Sequence, residues 1–411
     1  MIKPALLEKY AKIAVQIGAN VQKNQRLIVN SSTETRELAR EIAKQAYLVG
    51  AKSVDIIWND AYVARYGYEH MSDDELSTVP EWTVQRYHHY VDEGACLISI
   101  TSPITGINEG VDASKIQKAN VAMSKAISFF RNHTMSNHTQ WCVIAAPNAV
   151  WAKKVFPNKP EADAIDDLWD AILKASRVRE DNDPVSEWEK HNEILAKHNK
   201  ILNSHQFASL HFQNKLGTNV TVKLVDNHIW CGGVERSTKG VEFNANIPTE
   251  ETFTMPHKYG VDGTVFATKP LDYQGNLIED FWLEFKNGKV VAYGAKKQQN
   301  TLKNLLESDE GSSRLGEIAL ISHDSPISNS GILFLNTLFD ENASCHMALG
   351  RAYPINVKGG VDMTPEQLEA VGYNSSLVHC DFMFGSADMH IVGTTHDGKN
   401  VEIFKNGNFI I

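Results

Sequence analysis

Cysteine is scarce in this sequence of 411 residues. The five cysteines are Cys96, Cys142, Cys231, Cys345 and Cys380. Their number is odd and the closest two stand 35 residues apart, which excludes both a disulfide framework and a Cys-x-x-Cys metal or redox site. We therefore expect all five to be reduced thiols.

Positive charge is also in short supply, with 40 Lys and Arg against 50 Asp and Glu, a net charge of −10 with neutral histidine. Such acidity argues against nucleic acid or an anionic membrane as the main partner. The longest uncharged stretch, residues 132–152, contains too many Asn, His and hydroxyl side chains to cross a bilayer. The N-terminus lacks the apolar core of a signal peptide, and we predict a cytoplasmic location.

Three catalytic or binding motifs are missing. No two of the 26 glycines are spaced i, i+2, which excludes the Gly-x-Gly-x-x-Gly fingerprint of dinucleotide binding. Gly-x-Ser-x-Gly and His-Glu-x-x-His are absent as well, which excludes a nucleophile elbow and a zincin. The remaining composition is ordinary, with 42% hydrophobic and 22% charged residues, and it favours a multi-domain enzyme.

The first half of the chain alternates helical and strand-like patterns. An amphipathic helix over residues 4–18 is followed by an apolar strand at 26–30, a second helix closed by Gly50, and a strand at 54–58. Further apolar runs at 96–100 and 141–146 continue the alternation. The pattern predicts an α/β N-terminal domain with a mostly parallel sheet over residues 1–185.

The second half is richer in β-strand signals. A helix from Pro184 to about residue 202 links the halves, and Val220, Val222 and Leu224 alternate beyond it. Asn287-Gly288, Asp397-Gly398 and Asn406-Gly407 predict hairpin turns between apolar runs. We predict a larger α+β C-terminal domain over residues 186–411, mainly antiparallel β, that carries the metal-binding and catalytic residues.

Four short stretches of this half carry side chains that bind divalent metals. His379 and Asp381 are spaced by two, so a strand places an imidazole and a carboxylate on one face. Taken singly, each stretch has an ordinary structural alternative, such as an exposed strand end or a histidine hydrogen-bonded beneath a loop. The candidates, in chain order, are Glu250, Glu251, Glu317, His346, Tyr353, His379 and Asp381.

The segments around these residues resemble the thermophilic aminopeptidase family of metallopeptidases. They are NANIPTEETFTMP (residues 244–256), SSRLGEIALI (312–321), SPISNSGILFLNTLFDENASCHMALGRAY (325–353) and SSLVHCDFMFGS (375–386). The resemblance extends over the whole chain and is greatest to the aminopeptidase S and PepS branch, rather than to aminopeptidase T. It implies a homodimer with an enclosed cavity and short peptides as substrates.

The resemblance also implies a site of two divalent metal ions, which we expect to be zinc, cobalt or magnesium. Carried over motif by motif, the implied ligands are Glu251, Glu317, His346, Tyr353, His379 and Asp381. Two cations about 3.5–4 Å apart can hold a bridging water that attacks the N-terminal peptide carbonyl. Glu250 is the nearest unassigned carboxylate and is the candidate proton shuttle. Thr252 stands where the family usually has valine, which affects packing rather than ligation.

Two other functions fit the same residues. A non-catalytic α/β protein could bind a small ligand and hold calcium with the acidic cluster. A metal-dependent hydrolase of a non-peptide amide would keep the site but change the substrate. The sequence favours the metal-dependent aminopeptidase, and chelator-sensitive release of an N-terminal residue separates it from both.

Overall fold

The strands β1 to β4 of the first half are five to seven residues long, and the strands of the second half range from two to eleven residues. The computed structural model describes residues 2–273 and 276–411. In chain order the strands are β1 (Arg26–Ser32), β2 (Ser53–Asn59), β3 (Cys96–Thr101), β4 (Trp141–Ala145), β5 (Phe207–Gln213), β6 (Asn219–Leu224), β7 (Glu235–Arg236), β8 (Glu242–Phe243), β9 (Thr252–Thr254), β10 (Pro256–Phe266), β11 (Leu271–Tyr273), β12 (Asn276–Lys286), β13 (Lys289–Lys297), β14 (Leu315–Leu320), β15 (His346–Gly350), β16 (His379–Met383), β17 (His390–Thr395), β18 (Asn400–Lys405) and β19 (Asn408–Phe409).

Most of the longer helices precede residue 206. In chain order the α-helices are α1 (Pro4–Ile13), α2 (Arg36–Leu48), α3 (Ala61–His70), α4 (Asp73–Leu76), α5 (Glu81–Asp92), α6 (Ala113–Ala126), α7 (Ser128–Met135), α8 (Ala149–Val155), α9 (Glu161–Ala175), α10 (Pro184–His205), α11 (Gln299–Leu306), α12 (Pro326–Ser330), α13 (Thr337–Asp340) and α14 (Pro365–Ala370). In the described ranges, none of the helices combines the length and the apolar composition needed to span a membrane.

The chain divides into two units by its internal contacts. The first comprises Met1–Lys190 and Val234–Pro248, and the second comprises His191–Gly233 and Thr249–Ile411. The segment Val234–Pro248, which contains β7 and β8, packs with the first unit although the sequence analysis places it in the second domain. The chain therefore crosses between the units more than once.

The sheet of the first unit is parallel, as predicted. Its strand order is β2-β1-β3-β4, and every neighbouring pair runs in the same direction. The centre of β1, Leu27–Val29, is buried, which is typical of parallel strands covered on both faces. Helix α2 packs on β1 and β2 through Leu38 and Ile42, the apolar stripe that its sequence predicts.

Close packing explains one glycine of this unit. Helix α1 continues as a π-helical turn over Ala14–Gly18, and Gly18 lies against Cys142 of β4. A Cβ on Gly18 would stand 2.6 Å from the Cys142 Sγ. The helix therefore approaches the sheet more closely than any side chain would allow.

The larger sheet of the second unit is antiparallel. Its order is β11-β12-β10-β6-β5-β17-β18-β19, with β13 also paired to β12. The predicted turn Asn287-Gly288 joins β12 to β13 with φ of 49° and 77°, and Asn406-Gly407 joins β18 to β19 with φ of 51° and 74°. Positive φ at both positions is the signature of the hairpin turns that these residue pairs favour.

A smaller antiparallel sheet in the same unit has the order β16-β15-β14-β9. Every residue of β14 and β15 is buried. The core beside it includes Leu315, Ile318 and Phe382. The predicted fold class, a parallel α/β region followed by a larger and mainly antiparallel region, is confirmed, and this smaller sheet carries the candidate site.

Candidate metal centre

The smaller sheet collects charged side chains on one of its faces. Glu317 on β14 pairs with Ala348 on β15, and Ala348 pairs with Asp381 on β16. Residues paired across strands point to the same face, as do residues two apart on one strand. His346 and His379 therefore share the face of Glu317 and Asp381. Ala348 lies between the two carboxylates, and its side chain is a single methyl group.

Glu251 reaches the same face from the end of β9. Phe253 pairs with Ala319, and Ala319 pairs with His346. The side chains of residues 251 and 253 therefore point to the face that carries the site. Gly232 allows this approach, because a Cβ at its position would stand 2.2 Å from the Glu251 carbonyl oxygen. The predicted stretches at 250–251, 317, 346 and 379–381 thus meet at one face.

Each imidazole faces two carboxylates. The Nε2 atom of His346 lies 3.3 Å from Glu251 Oε2 and 3.5 Å from Glu317 Oε1. The Nε2 atom of His379 lies 3.6 Å from Glu317 Oε2 and 3.4 Å from Asp381 Oδ1. Glu317 therefore turns one oxygen towards each histidine. One ligand atom from each of Glu251, Glu317 and His346 fits within a mutual distance of 4.8 Å, a spacing that suits a cation.

Backbone carbonyls fix the orientation of both imidazoles. His346 Nδ1 is 2.8 Å from the Glu341 carbonyl oxygen, and His379 Nδ1 is 2.7 Å from that of Arg351. A carbonyl can only accept, so each Nδ1 donates a proton and each Nε2 points into the site. This is the arrangement in which metal-binding histidines are commonly held.

Burial and mutual charge shift the pKa values of these groups. Burial raises the pKa of Glu317. Burial alone would lower the pKa of His346, but the carboxylates of Glu251 and Glu317 raise it well above its ordinary value. In the same way, Asp381 and Glu317 outweigh burial and raise the pKa of His379 to about 10. The site without cations thus favours protonated imidazoles.

Asp381 responds in the opposite direction. Burial favours a higher pKa, but His379 and His346 hold the pKa of Asp381 below its usual value. Its Oδ1 atom is buried and has no hydrogen-bond partner within the described ranges, although His379 Nε2 is 3.4 Å away. A buried carboxylate oxygen that has an ion-pair neighbour but no hydrogen bond is only partly stabilised. The residue set therefore suits a bound cation, because the cation would coordinate this Asp381 oxygen.

Tyr353 lies just beyond the end of β15. Its ring is 4.8 Å from the His379 ring and 6.3 Å from the Phe253 ring, centroid to centroid. Burial and the negative charges of Glu317 and Asp381 raise the pKa of Tyr353. Without a cation its hydroxyl therefore stays protonated. The structure places the predicted tyrosine against a predicted histidine.

Sequence reasoning missed Glu341, which follows α13 in a 3₁₀ turn. Burial and the charges of Asp381 and Glu251 raise the pKa of Glu341 well above its ordinary value, so its carboxyl lies near the cluster. An acidic residue in a helical turn is usually exposed, and no motif distinguishes this one. Its position five residues before His346 is the one available signal, because a short turn can fold back onto the strand that follows it.

Glu250 is buried beside the cluster residue Glu251. Its backbone N–H donates to Asn342 Oδ1 at 2.8 Å, and its Oε2 lies 3.7 Å from His191 Nε2. His191 in turn lies 2.8 Å from the Thr249 carbonyl oxygen. Glu250 thus has an imidazole as neighbour, and its proton-shuttle role stays a prediction.

Known proteins resemble this chain over nearly its whole length. The chain is 47% identical over 403 residues to aminopeptidase AmpS of Bacillus subtilis strain 168, covering 98% of both proteins. It is 45% identical over 403 residues to aminopeptidase 2 of Geobacillus stearothermophilus, covering 98% of this chain and 97% of that protein. The structure of wild-type AmpT from Thermus thermophilus matches with a TM-score of 0.92 at 35% identity, covering 99% of each chain.

One protein-family model matches almost the whole chain. It is the model of the thermophilic metalloproteases (M29), and it matches residues 4–409. Together with the named relatives, this match confirms the predicted enzyme class, a metal-dependent hydrolase of peptide bonds. The chain belongs to the thermophilic metalloprotease family M29.

Proposed function

We propose that this chain is a metal-dependent aminopeptidase that removes N-terminal residues from short peptides. Two divalent cations, which we expect to be zinc, cobalt or magnesium, would be held by Glu251, Glu317, His346, Tyr353, His379 and Asp381. The observation that carries the proposal is that these residues except Tyr353, from four separate stretches of sequence, meet on one face of the small sheet. Membership of a metalloprotease family agrees with it.

The arrangement of the imidazoles supports two cations rather than one. His346 faces Glu251 and Glu317, whereas His379 faces Glu317 and Asp381. Glu317 belongs to both groups, which suits a carboxylate shared by two cations. The cation pair, when bound, supplies Lewis acidity and a bridging water of lowered pKa, the usual chemistry of dinuclear hydrolases.

The residues of the chain would bind the substrate and move the proton. Two divalent cations would neutralise the three ligand carboxylates, so the free α-ammonium of a peptide would be bound by a carboxylate outside the ligand set. Glu250 would accept a proton and return it to the leaving amine. Its burial beside the cluster residue Glu251 suits that role, and His191 Nε2 lies 3.7 Å from its Oε2.

The test measures metal content and turnover on the same sample. Protein loaded with zinc or cobalt should release the first residue of leucine p-nitroanilide and of Leu-Gly-Gly, and should fail on the N-acetylated forms. A chelator should abolish the release, and added metal should restore it. A fully loaded protein that turns over none of these substrates would contradict the proposal.

The alternatives are separated by the same assay. Calcium prefers oxygen ligands, so the two imidazoles argue against a calcium-binding module. A panel of peptides and simple amides distinguishes peptide from amide hydrolysis. The predicted homodimer is tested by the mass of the loaded protein in solution, and the predicted cytoplasmic location stays a prediction.

A further inference from the structure

One cavity of the second unit contains none of the candidate metal ligands. It has a volume of about 420 Å³. Lys258 and Arg314 supply its positive charge, and Glu310 and Glu366 lie among its lining residues. Leu368 adds apolar surface. The cavity thus combines both signs of charge with a hydrophobic patch.

The two cations of the cavity lie close together. Lys258 and Arg314 both contact the ring of Tyr259, at 4.9 Å and 4.8 Å from its centroid. The Lys258 side chain is 11% exposed and its Nζ pairs with Glu369 at 3.0 Å, but that glutamate is 70% exposed. The two cations beside one ring form a local positive pole in a lining that also contains Glu310, Glu366 and Glu369.

Arg314 supports a ligand carboxylate in this cavity more strongly than Lys258 does. Its Nη1 atom donates to the carbonyl oxygens of Lys258 and Asn287, at 3.2 Å and 3.4 Å. It forms no ion pair with a carboxylate within residues 2–273 and 276–411, although it is partly buried. The planar guanidinium of Arg314 can bind a carboxylate through two parallel N–H groups.

We propose that this cavity binds a free amino acid or a short peptide. Lys258 and Arg314 would hold the ligand carboxylate, Glu310 and Glu366 would face its ammonium, and Leu368 would contact its side chain. A ligand with both charges fits the lining better than a simple anion, which the glutamates would repel. The site is separate from the candidate metal centre, and binding does not require turnover.

Hydrogen bonds connect the cavity wall to the metal centre. Asn374 Nδ2 donates to the Gly350 carbonyl oxygen at 2.6 Å, and the Tyr373 hydroxyl donates to that of Ala352 at 2.7 Å. The carbonyl oxygen of the residue between them, Arg351, accepts from His379 Nδ1. Segment 350–352 therefore contacts both sites, and a ligand in the cavity is positioned to change turnover as well as to bind.

The experiment is calorimetric titration of the full chain carrying Glu317→Ala, in which the metal centre is disrupted. The probes are L-leucine, N-acetyl-L-leucine, which lacks the ammonium, and L-leucinamide, which lacks the carboxylate. We expect one leucine per chain and binding by leucinamide weaker by about tenfold or more. N-acetyl-leucine should also bind more weakly than leucine, because it keeps the carboxylate but lacks the ammonium that Glu310 and Glu366 would face.

Variants locate the site. Arg314→Gln and Lys258→Gln should each weaken leucine binding by about tenfold, whereas Arg131→Gln, at an exposed arginine of the first unit, should not. If Arg314→Gln fails to fold, Lys258→Gln alone decides. No binding of leucine at millimolar concentration, equal binding of leucinamide, or binding unaffected by a folded variant would overturn the inference. Failure of the proposed aminopeptidase activity would leave these titrations unchanged.

Discussion

His379 and Asp381 lie two residues apart on one strand, with 3.4 Å between the imidazole Nε2 and the carboxylate Oδ1. Each controls the ionisation of the other, since the pKa of His379 is raised to about 10 and that of Asp381 is lowered. The pair is a preformed donor set in which a proton occupies the place of a cation. A cation that binds there must displace this proton.

The shared carboxylate of Glu317 gives the first prediction. Glu317→Gln removes a charge that faces both histidines, so both cations should be lost together. We expect metal content to fall from about two ions per chain to less than one, and turnover to fall by at least about 100-fold. Metal analysis and kcat/KM on one preparation measure both effects.

Glu284→Gln is the matched control for this change, because Glu284 is an exposed glutamate on a strand of the larger sheet. It should leave metal content and turnover unchanged. Full metal content and full rate in Glu317→Gln would remove Glu317 from the ligand set.

Ala348 gives a steric prediction. Its methyl group lies between Glu317 and Asp381 on the site face, and the residue is fully buried. Ala348→Leu should place a larger side chain between the two carboxylates and lower metal content, whereas Ala348→Gly should keep the metal and destabilise the strand by about 0.5–1 kcal/mol. Metal analysis with thermal unfolding distinguishes the two variants. Equal metal content in both would show that the cations do not lie above Ala348.

Local patterns were sufficient to predict much of the fold. The parallel strands β1 to β4 follow from buried apolar runs, and Asn287-Gly288 predicts its hairpin because the turn requires positive φ at both positions. The common orientation of His379 and Asp381 follows from the two-residue period of a strand. In each case the information lies within a few neighbouring residues.

Glu341 could not be predicted in this way. Its proximity to Glu251 and Asp381 depends on how a 3₁₀ turn, β9 and β16 meet in space, and these are distant in sequence. Segment Val234–Pro248 poses the same problem, since it packs with the first unit although it follows β6 of the second. Its short strands carry no signal of which core they join.

The choice of proton carrier is a third testable point. Glu250→Gln should retain both cations and reduce turnover by about 10²–10⁴-fold, because the amide cannot accept a proton. Glu341→Gln is the matched comparison, since its backbone carbonyl would still orient His346. Rates of both variants, measured at equal metal content, decide the assignment. Loss of turnover in Glu341→Gln alone would transfer the role to Glu341.

His198 on α10 predicts a pH dependence of stability that is independent of the metal. Its ring stacks on Phe409 with centroids 4.0 Å apart, and its Nδ1 has no hydrogen-bond partner in the part of the chain that the structure describes. Burial, helped by the charges of Lys197 and His191, lowers the pKa of His198 to about 4.

The unfolded chain, in contrast, takes up this proton near pH 6.5. Between about pH 6.5 and 4 the unfolded state binds the proton and the folded state does not, so the contribution of His198 to stability falls as the pH is lowered. It is fully present above this range. His198→Phe keeps the stacked ring and removes the titration, and its Tm should fall less steeply than that of the wild type between pH 6.5 and 4.

Measurement by calorimetry on chelator-treated protein keeps the metal centre constant. His198→Gln, which removes the stack as well, should have a lower Tm at pH 8 but the same shallow slope as His198→Phe. A constant Tm difference between wild type and His198→Phe from pH 8 to pH 4 would show that the imidazole titrates equally in the folded and unfolded chains, and that burial on α10 does not keep it neutral.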